Sequence, residues 1–203
     1  MRILVLSPHP DDMEFGCGAT ISKKTGFGDQ VRQIVFCLSE EMGIAPSIRK
    51  NEVMESARLL GLKGTKICKF PHRNFGVARQ NILDTLISVR NEFEPHIVYT
   101  PATTDIHQDH RVVTEEAVRT FRETTILGYE DPWNNLSMLH CLFEIIREDD
   151  VIRKWKSIEK YGSVLGRRHY HTEAFIRSLA TVRGAQVGTT YAEMFEVIRC
   201  VSR

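Results

Sequence analysis

The feature that most constrains this chain is a short apolar run near its N-terminus that ends in ionisable residues. Residues 3–6 predict a strand buried on both faces, as the strands of parallel sheets are. Pro8 and Pro10 end this strand, because proline cannot donate a hydrogen bond to a sheet ladder. The turn then carries His9, Asp11 and Asp12. Since open α/β sheets bind ligands at the carboxyl ends of their strands, this turn is a candidate site.

A second apolar run ends in a similar cluster. Residues 97–100 predict another buried strand, and the loop after it contains Asp105, His107, Asp109 and His110. In a doubly wound sheet of order 3-2-1-4-5 the first and fourth strands are neighbours, so the two clusters should meet in space. Histidine and aspartate are zinc ligands, and a cation relieves the repulsion between adjacent carboxylates. The sequence therefore favours a metal site over the alternative, in which the aspartates only cap turns and helices.

Strands and helices alternate along the chain as far as residue 129, which predicts parallel strands joined by right-handed crossovers. The helices are predicted at 16–25, 47–60, 81–93 and 112–124, with further strands at 31–37 and 66–70. Beyond them we expect strands at 138–146 and 192–201 around two more helices. The expected fold class is α/β: a Rossmann-like three-layer sandwich with a mostly parallel central sheet of core order 3-2-1-4-5.

Two motifs resemble those of a known enzyme family. His9-Pro-Asp-Asp12 followed by Glu14 and Gly16-Cys-Gly18, together with Asp105-Ile-His-Gln-Asp-His110, is similar to the LmbE-like, or GlcNAc-phosphatidylinositol de-N-acetylase (PIG-L), family of zinc-dependent deacetylases. The resemblance implies one LmbE-like deacetylase domain over residues 1–203. Many members carry Glu directly after the paired Asp, whereas Met13 intervenes here. The role of Glu14 is therefore left open.

The resemblance also implies roles for individual residues. The zinc ligands would be His9, Asp12 and His110. Asp11 would be the general base, and His107 would stabilise the oxyanion or protonate the leaving amine. Asp109 would orient His107. Iron(II) can also occupy a site of histidine and aspartate, so the metal is expected to be Zn²⁺ with Fe²⁺ as the alternative.

The implied reaction removes an N-acetyl or other N-acyl group from an amino sugar, such as a derivative of N-acetylglucosamine, either as a small molecule or within a glycoconjugate. Two alternatives stay open: a non-catalytic metal- or glycan-binding member of the same fold, and a metal-dependent hydrolase of another ester or amide. A nucleotide-binding Rossmann protein is disfavoured, because Gly16-Cys-Gly18 lacks the third glycine of the fingerprint and acidic residues would face a pyrophosphate.

Four side chains are candidates for substrate contacts: Arg49, Arg73, Asn74 and Trp133. Arg49 lies in the first turn of a predicted helix capped by Ser47, where the family places a substrate-binding arginine; the alternative is a surface pair with Glu52. Arg73 and Asn74, with His72, follow the third strand and should join a rim around the metal, unless this is an ordinary polar loop. Trp133, Asn134 and Asn135 form a loop suited to covering a sugar ring; the alternative is a loop with a purely structural role.

Composition excludes several classes of protein. The net charge of +1 offers no electrostatic case for binding nucleic acid or an anionic membrane surface. No apolar run approaches the ~20 residues of a membrane span, and no basic-then-apolar leader is recognisable. The five cysteines are an odd number without a Cys-x-x-Cys motif, which predicts reduced, mostly buried thiols in a cytoplasmic protein. The oligomeric state is left open, and a homo-oligomer is compatible with the sequence.

Overall fold

The computed structural model describes residues 1–38 and 43–202. The strands are β1 (Arg2–Ser7), β2 (Gln30–Val35), β3 (Gly64–Ile67), β4 (Ile97–Pro101), β5 (Thr125–Tyr129), β6 (Cys141–Ile145) and β7 (Ala192–Arg199). The α-helices are α1 (Asp12–Gly26), α2 (Pro46–Leu59), α3 (Arg79–Phe93), α4 (Gln108–Thr120), α5 (Glu148–Ile158) and α6 (Glu173–Ala185). A short 3₁₀ helix, Phe75–Ala78, precedes α3.

The described strands form one sheet of order β3-β2-β1-β4-β5-β7-β6. Strands β1 to β5 pair in parallel, while β7 runs antiparallel to both β5 and β6. The predicted core order 3-2-1-4-5 and the mostly parallel character of the sheet are therefore confirmed. Because β1 pairs directly with β4, with Val5 opposite Tyr99, the polar loops after these two strands emerge side by side.

Helices cover both faces of the sheet, as the three-layer prediction requires. Successive strand residues point to opposite faces. Leu4 and Val98 pack with α3 and α4 on one face, while Ile3 and Tyr99 pack with α1 on the other. All four side chains are fully buried, so the central strands are apolar on both sides. This explains why the sequence of each strand shows a continuous apolar run rather than an alternation.

Several helices begin earlier than the sequence suggested. Helix α1 starts at Asp12 rather than residue 16, and α4 starts at Gln108 rather than residue 112. The early start of α4 follows from His107, whose ring accepts a hydrogen bond from the Asp109 amide and so caps the helix. Helix α2 begins at Pro46 after Ala45, so Ser47 is not its cap; proline suits the first turn because no amide hydrogen is needed there. Both polar clusters therefore lie at helix N-termini.

None of the five cysteines, all of which lie in the described part of the chain, forms a disulfide, but their predicted burial is only partly correct. Cys17 and Cys37 are buried, and Cys68 is half-buried. Cys141 and Cys200 are exposed, because they lie on the edge strand β6 and just after β7. Within residues 1–38 and 43–202, no helix is both long and apolar enough to cross a membrane. Glu40 and Glu41, expected near the carboxyl end of the second strand, lie outside the described residues.

Candidate metal centre and active site

The structure brings the three expected metal ligands together. His9 Nδ1 lies 3.1 Å from His110 Nε2 and 3.5 Å from Asp12 Oδ2, and the last two atoms are 3.4 Å apart. Ligands placed ~2.0–2.1 Å from zinc at tetrahedral corners are ~3.3 Å from one another. The triangle of donor atoms therefore fits a zinc ion. The three residues are at most 9% exposed, so this site is shielded from bulk water.

Two buried carboxylates hold the imidazole rings of this triangle. His9 Nε2 lies 3.0 Å from Asp109 Oδ2, and His110 Nδ1 lies 2.7 Å from Asp105 Oδ2. When the ring is neutral, the carboxylate accepts the proton at that nitrogen, which leaves the other nitrogen unprotonated. In that state the unprotonated nitrogens are the two that face each other. Burial lowers the pKa of His9, but its hydrogen bonds to Asp109 and Asp12 outweigh burial and raise that pKa to about 9.

Asp11 and Asp12 face different neighbours although they are adjacent. Asp11 has a φ of 82°, in the left-handed region that aspartate tolerates better than most residues. Arg49 is the cation that acts most strongly on Asp11, whereas His110 acts most strongly on Asp12. Burial, reinforced by the charge of Asp12, raises the pKa of Asp11 well above its usual range despite Arg49. The turn thus separates the two carboxylates, one beside the donor triangle and one within it.

His107 presents a neutral ring to the same place. Its ring centroid lies 4.8 Å from that of His9 and 4.6 Å from that of His110. Burial, followed by the charges of His110 and His9, lowers the pKa of His107 to about 4. Because Nδ1 accepts the Asp109 amide hydrogen at 3.2 Å, the neutral ring carries its proton on Nε2. His107 can therefore donate a hydrogen bond at neutral pH.

Asp109, which is expected to orient His107, contacts the His107 ring through its backbone amide. Its carboxylate binds the His9 ring and accepts the amide hydrogens of Arg73 at 2.7 Å and Phe75 at 3.0 Å. The Asp109 carboxylate therefore joins His9 to the loop after β3.

Arg49 is buried, so its interpretation as part of a surface pair is wrong. It is 2% exposed and contacts Glu52 at 3.0 Å. The segment after α5 covers this pair: the Ser163 amide donates to Glu52 at 2.7 Å, and the Tyr161 ring lies 5.4 Å from the guanidinium carbon. Arg49 therefore lies beneath the site beside Asp11 rather than on an open rim.

The loop after β3 reaches the site through two of its three candidate residues. The His72 ring centroid lies 5.1 Å from that of His9. Arg73 adopts a φ of 59°, a conformation unusual for arginine, and its backbone amide donates a hydrogen bond to the Asp109 carboxylate. Asn74 is exposed and precedes the 3₁₀ helix. The loop thus joins the carboxyl edge of the sheet as predicted, with the Arg73 side chain directed to solvent.

The side chains of residues 133–135, which were expected to cover a sugar ring, instead contact other parts of the protein. Trp133 stacks on Tyr170 with centroids 4.0 Å apart and an angle of 7°, so a protein ring occupies one face of the indole. The Asn134 amide donates to Asp105 at 3.3 Å, and the Asn135 amide donates to Thr104 at 3.0 Å. The asparagines therefore connect two loops, and only the remaining face or edge of Trp133 is left for a ligand.

Sequence reasoning missed Asp131. It is fully buried, and neither carboxylate oxygen has a hydrogen-bond partner among the described residues. Its Oδ2 lies 3.8 Å from His110 Nδ1, and Asp131 forms a candidate metal-holding group with Asp12 and His110. Burial and the charges of Asp12 and Asp105 raise the pKa of Asp131. Its position two residues after β5, the neighbour of β4, was a signal that could have found it.

Glu14, whose role was open, is a buried link between helices. Its Oε1 accepts hydrogen bonds from Ser56 in α2 and from the Tyr161 hydroxyl, the latter at 2.9 Å. Burial raises the pKa of Glu14 to about 7 despite these bonds. Glu14 therefore connects the first turn of α1 to α2 and to Tyr161, and it is not part of the donor triangle.

Comparisons with known proteins identify the family of this chain. The sequence pattern of the GlcNAc-PI de-N-acetylase family, PIG-L, matches residues 4–121. The chain is 29% identical over 172 residues to the uncharacterized deacetylase YaiS of Escherichia coli K12, covering 79% of this chain and 90% of YaiS.

Solved structures share the fold. The conserved protein TT1542 of Thermus thermophilus superposes with a TM-score of 0.83 at 24% identity, covering 99% of this chain and 96% of that one. The N,N'-diacetylchitobiose deacetylase of Pyrococcus horikoshii superposes with a TM-score of 0.80 at 24% identity, covering 97% and 83%. The matched segment contains both polar clusters and more than half of the 203 residues, so this chain belongs to the GlcNAc-PI de-N-acetylase (PIG-L, LmbE-like) family.

Proposed function

We propose that this protein is a zinc-dependent N-deacetylase that hydrolyses the amide of an N-acetylated or otherwise N-acylated amino sugar. The observation that carries the proposal is the triangle of donor atoms from His9, Asp12 and His110, with edges of 3.1–3.5 Å. The names of the relatives support the reaction class, since YaiS and the Pyrococcus enzyme are both called deacetylases.

The proposed metal ligands are His9, Asp12 and His110, for Zn²⁺ or alternatively Fe²⁺. A bound zinc ion lowers the pKa of water toward ~7 and polarises a carbonyl oxygen. Asp11, whose side chain makes no capping hydrogen bond to α1, accepts the proton of the attacking water as general base. Burial raises the pKa of Asp11, which strengthens its affinity for a proton and so favours a role as base.

The hydrogen-bond pattern of His107 supports one of the two roles that the resemblance allows. A neutral ring with its proton on Nε2 donates a hydrogen bond well but is a poor acid. The neighbouring histidines also oppose a positive charge on this ring. We therefore assign His107 to stabilising the oxyanion, and Asp11 to returning its proton to the nitrogen as the C–N bond breaks. The products are a carboxylate, acetate for an acetyl group, and a free amino sugar.

The test is a screen of N-acetylated amino sugars that measures both released primary amine and released acetate. It should include N-acetylglucosamine, its glycosides and N,N'-diacetylchitobiose, because a relative's name contains the last substrate. We expect equal amounts of amine and acetate, both abolished by a chelator and restored by Zn²⁺ or Fe²⁺. Zinc binding without any turnover would favour the alternative of a non-catalytic metal- or glycan-binding protein. Turnover of esters alone would favour the other alternative, a different metal-dependent hydrolase.

A further inference from the structure

Asp105 has no assigned role in the reaction, yet it contacts both histidines of its own loop. It is 2% exposed. Its Oδ2 lies 2.7 Å from His110 Nδ1, and its Oδ1 accepts the His107 amide hydrogen at 2.7 Å. The Asn134 side-chain amide donates to Oδ2 at 3.3 Å. One buried carboxylate is thus held from three directions, directly behind a proposed metal ligand.

We propose that Asp105 is a positioning residue that fixes the His110 ring and its tautomer, and that the loop after β5 holds Asp105 in place through Asn134. The inference rests on the proposed metal centre. A carboxylate on the distal nitrogen of a metal-binding imidazole keeps that nitrogen protonated and makes the other nitrogen a better ligand. His110 Nε2 is the atom of that ring that faces His9 and Asp12.

The loop after β5 is connected to the Asp105 loop at several points. Asp105 forms an isolated antiparallel bridge with Asn135. Thr104 Oγ1 donates to the Ser137 carbonyl at 2.7 Å and accepts the Asn135 side-chain amide at 3.0 Å. These bonds cross between segments about thirty residues apart in sequence. Asp105 is therefore placed by tertiary contacts and not by the turn alone.

Replacing Asp105 by asparagine tests this role directly, because both carboxylate oxygens of Asp105 already accept a hydrogen bond. Asparagine offers one oxygen and one NH₂ group in the same shape. Whichever way its amide turns, a donor faces either the His107 amide or the His110 Nδ1 hydrogen. Relief of the second clash moves the His110 proton to Nε2, where it blocks metal binding.

The experiment measures zinc affinity on metal-free protein by competition with a chelator for wild type, Asp105→Asn and Asp150→Asn. Asp150 is the matched control, since it accepts from the Ser22 hydroxyl at 2.9 Å and the Arg147 amide at 3.1 Å but touches no histidine among the described residues. Asp105→Asn should lower zinc affinity ~10–100-fold, the usual loss for such a partner. Asp150→Asn should leave it unchanged, and Asn134→Ala should lower it by a smaller factor in the same direction.

A second measurement uses the wild-type protein and does not depend on the folding of any variant. Nitrogen-15 NMR of the zinc-loaded protein should show His110 protonated at Nδ1. An unprotonated Nδ1, or an Asp105→Asn protein with wild-type zinc affinity, would overturn the role of Asp105 while leaving the metal centre intact. Failure of the wild-type protein to bind zinc would overturn both, so the two failures are distinguishable.

Discussion

His9 Nδ1 and His110 Nε2 face each other at 3.1 Å, although the two residues are 101 positions apart in the sequence. Their distal nitrogens are held by Asp109 and Asp105, so neither facing nitrogen carries a proton when both rings are neutral. Two unprotonated nitrogens at this distance repel each other unless a cation lies between them. A positive charge between these nitrogens therefore stabilises the site. A metal ion supplies that charge in the metal-bound protein, and a proton on His9 supplies it in the metal-free protein.

The first prediction separates the roles of the adjacent aspartates. Asp11→Asn should keep its zinc and lose ~10²–10⁴-fold in kcat, because the variant lacks a general base but keeps all three ligands. Asp12→Asn should lose zinc affinity first and activity as a consequence. Bound zinc and turnover are measured side by side on both proteins. The assignment is reversed if Asp11→Asn loses the metal while Asp12→Asn retains it.

The second prediction concerns protons and the metal. The pKa of His9 in the metal-free protein is raised from 6.5 to about 9, so the ring is protonated at neutral pH. Zinc binding at neutral pH should then release about one proton, which calorimetry in buffers of different ionisation enthalpy detects. Zinc uptake without proton release would contradict this.

The same pKa shift has a consequence for the stability of the metal-free protein. A histidine whose pKa is higher in the folded state contributes stability that is complete below the unfolded pKa and lost as the pH rises through the folded pKa. The free energy of unfolding should therefore fall between pH 6.5 and 9, and less so in His9→Gln. Denaturant unfolding in the presence of a chelator measures it, and an identical slope in the two proteins would exclude His9 as the cause.

The third prediction isolates the Nε2 hydrogen of His107. His107→Ser keeps a side-chain acceptor at the N-terminus of α4 but has no group that reaches the oxyanion. We expect kcat to fall ~10²–10³-fold, as for the loss of one oxyanion donor, with zinc content unchanged. His107→Ala should show the same loss of kcat and an additional loss of about 1 kcal/mol of stability from the missing cap. Wild-type kcat in His107→Ser would refute the proposed donor.

The fourth prediction concerns a buried ion pair at a break in α1. The helix is non-helical at Cys17, and the carboxylate of Glu193 accepts the amide hydrogens of Ala19 and Thr20 just after it. Lys154 pairs with Glu193 at 2.6 Å, and both side chains are 6% exposed. Lys154→Met leaves a buried unpaired carboxylate and should cost about 3–5 kcal/mol of unfolding free energy.

The control for this pair is an exposed one. Arg32 and Glu92 lie 2.6 Å apart with side-chain exposures of 40% and 66%. Glu92→Gln should change stability by less than about 1 kcal/mol, because water screens such a pair. Equal effects of the two substitutions in denaturant unfolding would show that burial does not determine the cost.

The fifth prediction tests a close approach behind the turn. A Cβ atom at Gly16 would lie 2.2 Å from the Tyr129 ring, whose hydroxyl is fixed to the Leu6 carbonyl at 2.8 Å. Gly16→Ala should therefore destabilise the protein by at least about 1–3 kcal/mol. Gly26, at the end of the same helix, has open space around its Cα, so Gly26→Ala should be neutral or stabilising by up to about 1 kcal/mol. Thermal unfolding of the two variants compares them directly.

The sequence by itself determined the sheet order and the meeting of the two clusters. Continuous apolar runs at β1 and β4, each ended by a polar turn, identify buried parallel strands, and such strands place their following loops at one edge. That rule was sufficient to predict that the two polar clusters meet, whereas the choice of His9, Asp12 and His110 as metal ligands came from the family resemblance. It needed no knowledge of side-chain packing, because backbone pairing alone fixes which loops are neighbours.

Only the tertiary structure decided which carboxylate serves which histidine. The Asp109 carboxylate, in the first turn of α4, contacts His9, while the Asp105 carboxylate, bound by Asn134 of the loop after β5, contacts His110. Tertiary packing also buries Arg49 beneath Ser163 and Asp131 beside His110. These contacts join segments far apart in the chain and depend on side-chain direction, for which the local sequence carries no periodic signal.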